Sequence, residues 1–441
     1  MEVESYKEIN ERILASLGRP SLFYRFVILL LLVGTLVGAT CWAAQIARGL
    51  GIAGYVHPVY WIIYLTNFIF WIGIGHSGTL ISAILYLFRA KWRTGVSRSA
   101  EAMTIFCVFI AALFPVIHLG RSLIVYWLIP YPNQRTLWPN FQSPLMFDVF
   151  AVSTYFTVSL LFWYIGLVPD LAVIRDRSQG FRRRIYGLFS LGWTGNHRQW
   201  HHYGTAYLIL AGLATPLVLS VHSVVSWDFA LIIIPGYHDT VFAPYFVDGA
   251  IHSGLAMVLI LLIPLRRIYK FEKFIRLNDL ESIGKAMIVT GLFIGYCYGM
   301  ELFMAWYSGN RFEKDMVLFR LMGQYAPSYY LALICNIAAP MFLFSKRIRT
   351  STKGLFTVAV FVIIGMWLER YFIVLGPMAQ DFIPYNWGTY FPGIIESLIT
   401  FGSICFFFFL FSLFAKFLPS VSIAESKEDL KPLFRKSRTG D

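Results

Sequence analysis

Two side chains that exchange protons stand out because each lies inside an otherwise apolar run. His118 sits in Phe114-Pro115-Val116-Ile117-His118-Leu119-Gly120-Arg121, and Asp148 closes Ser143-Pro144-Leu145-Met146-Phe147-Asp148. If the runs are helices of 1.5 Å rise, His118 lies ~14 Å below the outer end of one and Asp148 ~6 Å below the start of the next. Both then fall in the outer half of a bilayer on sequential antiparallel helices. A histidine and a carboxylate together form a pair of general bases. Such a pair suits a donor that sheds two protons with two electrons, as a quinol does. Arg121, read as one turn from His118, is placed to position a carboxylate or a quinol oxygen. The plainer reading is a His–Asp hydrogen bond that only ties two helices together.

Further ionisable residues fall in apolar segments: Asp248, Glu301 and the adjacent Glu369-Arg370, with His76, His222 and His252. Such groups are costly at membrane depth and are functional candidates for that reason. They read as a proton relay, or equally as paired residues that fix helix orientation. Asp228 and Asp381 fall at outer segment ends and read as solvated. His57, His197 and His238 fall in loops. A haem needs paired axial histidines on facing helices. No segment carries two at a suitable spacing, and only distant pairs such as His76 with His252 remain. Cys41, Cys107, Cys297, Cys335 and Cys405 each sit alone in apolar surroundings. They form no disulfide framework or metal cluster and read as small buried hydrophobes.

The elements that must position these residues follow from composition. Of 441 residues, 57% are apolar and 14% are charged. A soluble protein of this size could not cover itself with so few charges, and disorder needs lower hydrophobicity. Ten apolar segments approach the ~20 residues that cross a bilayer. They run over 23–45, 60–88, 102–128, 144–169, 204–234, 244–265, 282–307, 327–345, 355–376 and 392–418. Backbone polar groups in lipid must pair within the segment, so the spans are helices. The fold class is an all-α integral membrane protein.

With the N-terminus placed in the cytoplasm, 29 of the 37 Lys and Arg residues fall on that side, 6 on the other and 2 (Lys285 and Arg370) within spans. This asymmetry places both termini in the cytoplasm. It also makes the net charge of +13 a topology signal and not a nucleic-acid field. Residues 1–22 mix acids and bases, unlike a cleaved leader, and read as an amphipathic cap.

The chain also repeats. Gly73-Ile74-Gly75-His76-Ser77-Gly78 matches Gly249-Ala250-Ile251-His252-Ser253-Gly254. His118-Leu119 answers Glu301-Leu302, and Pro144 and Pro327 each follow 26 residues later. This is a parallel repeat of two four-helix bundles, helices 2–5 and 6–9, flanked by helices 1 and 10. The copies differ at one place: the counterpart of Asp148 is Leu331. The expected organisation is a cytoplasmic N-terminal segment (1–22), a first helix and outer loop (23–59), a first unit with the quinol site (60–234), a second unit with a proton path (235–376), an outer loop and last helix (377–418), and a cytoplasmic tail (419–441).

The two repeated glycine–histidine segments, the motif around His118 and the Ser-Pro-Leu-Met-Phe-Asp segment together resemble the NrfD/PsrC-like integral membrane subunit family. The likeness covers about residues 20–420 and is nearest to the branch found in bacterial alternative complex III. It implies a quinol-oxidising subunit, with menaquinol as substrate near the periplasmic face of a bacterial inner membrane. It implies that His118 and Asp148 form the quinol site, and that Asp248, His252 and Glu301 belong to a proton path. It implies no metal or haem in this chain. Electrons would pass to an extracytoplasmic iron–sulfur subunit and then to c-type haems of a multihaem cytochrome. A second NrfD-like membrane subunit and a terminal oxidase are further implied partners. Two other readings use the same residues: a secondary transporter built on a parallel repeat, and a non-catalytic membrane anchor.

Overall fold

The computed structural model describes residues 5–57, 59–90, 92–128, 144–237 and 241–428. Among these, ten helices are long and apolar enough to cross a membrane. They are α2 (Leu22–Arg48), α3 (Ile62–Leu87), α4 (Ser97–His118), α5 (Pro144–Asp176), α7 (His197–Ala230), α8 (Phe242–Ile268), α9 (Leu277–Tyr307), α11 (Ala326–Phe344), α12 (Thr352–Ala379) and α13 (Ile394–Phe417). Four further α-helices of six residues or more occur among the described residues: α1 (Tyr6–Ala15), α6 (Gly180–Phe189), α10 (Arg311–Met322) and α14 (Ile423–Glu428). Ten successive crossings put both termini at one end, called here the near end. α1 buries Ile9 and Ile13 on one face, as expected of an amphipathic cap.

All ten expected spans are present, but the third is displaced. Its helix ends at His118, not near residue 128, because Gly120 takes φ +70° and stops it. A 3₁₀ segment, Ser122–Leu128, follows. His118 therefore lies in the last turn of α4 and not deep within a span. Arg121 lies beyond the helix and is exposed, so the expectation of an arginine stacked one turn from His118 is corrected. The helix also starts earlier, at Ser97, which draws Arg98 and Glu101 inside it. His238 and Arg135 lie outside the described residues.

α3 occupies the centre and packs on α4, α7, α8 and α12. Lipid tails are as apolar as leucine, so close helix contact depends on small residues. The repeated segments supply them. A Cβ on Gly254 would collide with the side chain of Ser77, and one on Gly78 with the backbone of Ala100 on α4. A Cβ on Gly75 would stand 2.9 Å from Val108. The α3–α8 crossing is thus made by both copies of the motif. At the periphery α2 meets α13 where Gly38 faces Gly402.

α11 is broken. Pro340 has no N–H to give the carbonyl four residues back. The chain widens to a π turn over Ile334–Ala338, with Ala339 N–H bonded to Ile334 O. Such bulges redirect side chains at functional sites, and this one turns Asn336 inward.

Candidate functional site

Three side chains of interest lie at the far end of the bundle. His118 closes α4, Asp148 lies in the second turn of α5, and Asp228 lies in the last turn of α7. His118 is half-buried; its Nδ1 lies 3.1 Å from Phe114 O, and Trp61 packs edge-on at 5.5 Å. That contact fixes Nδ1–H as the donor and leaves Nε2 as the acceptor. Asp148 is 6% exposed, although it is one turn from the helix start. Its carboxyl lies beside that of Asp228. No N–H or hydroxyl donor from outside the pair reaches either oxygen of Asp148, or Oδ1 of Asp228, among the described residues; the two carboxyls can meet only through a proton they share. The expected His118–Asp148 hydrogen bond is therefore not formed. Asp228, expected to be solvated, is instead half-buried against Asp148. A helix-end aspartate flanked by apolar residues on both sides was the available signal.

The histidines flagged within spans come together in the centre. His76 and His222 are fully buried, with Nδ1 to Nδ1 at 2.8 Å. One must donate and the other accept. Tyr155 packs edge-on against His76, 4.5 Å between ring centres. His252 is bonded to Thr290 Oγ1 at 2.6 Å on α9. The Nε2 atoms of all three are enclosed and unpartnered among the described residues. No group of three or more His, Cys, Asp or Glu suited to a metal occurs among the described residues.

The remaining candidates form a second polar cluster around α12. Glu369 receives the Tyr298 hydroxyl, and Asn336 Nδ2 lies 3.0 Å from the same carboxylate oxygen. Arg370 Nη1 faces the other oxygen at 3.1 Å, and its guanidinium lies 4.5 Å over the Phe246 ring. Gly249 makes room for it, since a Cβ there would strike the guanidinium. Phe246 in turn neighbours His222, which links this cluster to the central histidines. Asp248 stands near Glu369, with its Oδ2 enclosed and unpartnered among the described residues. Glu301 is engaged by Arg320 of α10 in an ion pair. Burial opposes the Arg320 charge, but the Glu301 carboxylate outweighs it and holds the guanidinium above its ordinary value. A cavity of about 20 Å³, enough for roughly one water, lies between Glu301, Arg320, Tyr245, Tyr298, Tyr329 and Glu369.

A third cluster, not foreseen, closes the near end. Arg98 contacts Glu101 and Asp170, each at 3.2 Å, and all three are almost fully buried. Tyr207 and Ser82 also donate to Glu101. The chain beyond α13 folds back beneath this cluster. Ala424 N–H bonds Asp170 at 3.0 Å, and Glu425 pairs with Arg93 at 2.6 Å. Arg98 and Arg320 read from sequence as loop cations. Both fold onto buried acids of other helices.

The sequence profile of the family described as polysulphide reductase, NrfD matches residues 52–383. A protein of Halobacterium salinarum described as a membrane subunit of dimethyl sulfoxide reductase is 25% identical over 363 residues. That match spans 81% of this chain and 77% of the relative.

Proposed function

The chain belongs to the polysulphide reductase NrfD family, and from that premise we propose that it is the quinol-binding and quinol-oxidising membrane subunit of a respiratory quinol:electron-acceptor oxidoreductase. The observation that carries the reading is the buried carboxyl pair of Asp148 and Asp228 at the far end of the bundle, which no donor from elsewhere among the described residues reaches. Buried acceptors without donors call for a ligand with hydroxyls. A quinol brings two.

One quinol hydroxyl donates to Asp148 and the other to His118 Nε2. As two electrons leave, the two O–H bonds break and their protons pass to these bases, giving the quinone. Asp228 positions Asp148 and shares its proton. Arg121, exposed beyond the end of α4, is proposed to meet a quinol oxygen or a carboxylate. The electrons leave to an adjacent extracytoplasmic iron–sulfur subunit. Menaquinol as substrate, a multihaem cytochrome c, a second NrfD-like membrane subunit and a terminal oxidase complete the complex in the alternative complex III form of this proposal. The first repeat unit (60–234) holds the site, the far end is periplasmic, and both termini are cytoplasmic in a bacterial inner membrane.

A proton path through the second unit (235–376) belongs to the same proposal. Glu301, the one-water cavity, Glu369, Arg370, His222 and His76 follow one another from the far end to the centre, with Asp248 and His252 beside them. The test of the core claim is binding. A short-chain quinol analogue titrated into the purified complex should bind with at least tenfold weaker affinity when Asp148 or Asp228 becomes asparagine. Unchanged affinity in both variants overturns the reading. Solute uptake by this chain alone in proteoliposomes would favour a transporter instead.

A further inference from the structure

A lipid-facing groove of about 1220 Å³ runs along α5 at the near end, far from the carboxyl pair. Its walls come from α5, α6, α13 and the turn after α1. The lining extends along α5 from Leu160 to Leu171. Eleven residues at 1.5 Å are ~17 Å, close to half of the ~30 Å hydrocarbon core. The groove therefore has the length of one leaflet.

Its mouth carries charge of one sign. Arg19, Arg182 and Lys416 line it, and among the described residues no acidic one does. Lys416 Nζ reaches Ser16 O at 3.1 Å, and Arg182 Nη2 reaches Leu17 O at 3.5 Å. Both contacts are to neutral carbonyls at the end of α1. Arg182 and Lys416 are close enough to repel each other. α6 sets the level of the mouth. Its exposed Phe181, Leu188 and Phe189, beside Arg182-Arg183-Arg184, mark a helix lying in the membrane interface. Three cations, with no acid among them, thus stand at headgroup height above an apolar slot.

We infer that this groove holds an anionic phospholipid of the near-end leaflet, its acyl chains along α5 and its phosphate among Arg19, Arg182 and Lys416. An uncharged quinol head answers none of the three cations. A helix from another subunit would fill the slot but would have to bring its own acid.

The complex, delipidated in mild detergent, is titrated with phosphatidylglycerol or with phosphatidylcholine of the same chains and followed by native mass spectrometry. The wild type should retain phosphatidylglycerol at least tenfold more strongly. Combined Arg19→Gln, Arg182→Gln and Lys416→Gln should abolish that preference, and Arg19→Lys with Arg182→Lys should keep it. The preference in the wild type should also weaken with rising salt, a measurement that needs no variant to fold. Equal retention of the two lipids, or a preference that survives the triple glutamine variant, overturns the inference. So does a quinone or a protein segment found seated in the groove.

Discussion

Replacing Asp148 by asparagine separates a chemical role from a structural one, because the two predict opposite signs for stability. Both oxygens of Asp148, and one of Asp228, lack donors among the described residues. Asp148→Asn keeps the shape and adds an N–H₂ group beside the Asp228 carboxyl. That N–H₂ takes the place of the proton the two carboxyls share, so no buried acceptor loses a donor. The variant should therefore be at least as stable as the wild type, with a thermal midpoint unchanged or raised. Turnover should move the other way. General-base transfer contributes about 10²–10⁴ in rate, which is roughly 3–5 kcal/mol of barrier at 1.36 kcal/mol per decade. Quinol oxidation by the assembled complex should fall by that factor in kcat, in addition to the tenfold loss of quinol affinity. Thermal unfolding and steady-state kinetics on one preparation read both quantities. Undiminished turnover refutes the base role. A parallel loss of stability and activity refutes the argument that the carboxyl pair is held open for a ligand.

Three further outcomes test the surrounding framework. Gly254→Ala should destabilise the fold by about 1–3 kcal/mol, the usual cost of overpacking, because its methyl collides with Ser77; Ser77→Gly in the same chain should restore the melting temperature. Arg320→Ala leaves Glu301 half-enclosed without its partner, at a cost of about 3–5 kcal/mol. Glu301→Gln should recover most of that loss in thermal unfolding and, if Glu301 relays protons, should also lower proton release per turnover in vesicles. Truncation after Leu418 removes the partners of Arg93, Asp170 and Ser99 and should open the near end to hydrogen exchange at Glu101 and its neighbours.

The ten spans were legible because each is a run of about 20 apolar residues, a signal that needs no tertiary contact. The repeat was legible for a related reason: the small residues of its two motifs are the ones that let α3 and α8 touch. What stayed hidden involves partners distant in sequence. Nothing local says that His76 meets His222, or that Asp228 faces a carboxylate 80 residues earlier. Arg98 and Arg320 looked like topology markers because long side chains at helix ends usually snorkel to water. Here each has a buried acid within reach and turns inward. The third helix was drawn too far because hydropathy does not register a glycine that takes φ +70°.

The two copies of the repeat treat the same level of the bundle differently. In the second, the residue matching His118 is Glu301, and Arg320 compensates it; the residue matching Asp148 is Leu331, which needs nothing. In the first, Asp148 and Asp228 leave three enclosed oxygens without a donor among the described residues. A buried acceptor that no donor reaches costs about 1–3 kcal/mol, so the two carboxyls must share a proton or meet a donor from a ligand. A structural role would be served better by the second copy's solution, since an ion pair or a leucine removes that cost. The two copies therefore diverge at the level of His118 and Glu301, and the buried acid pair that the proposed quinol site needs occurs in the first copy.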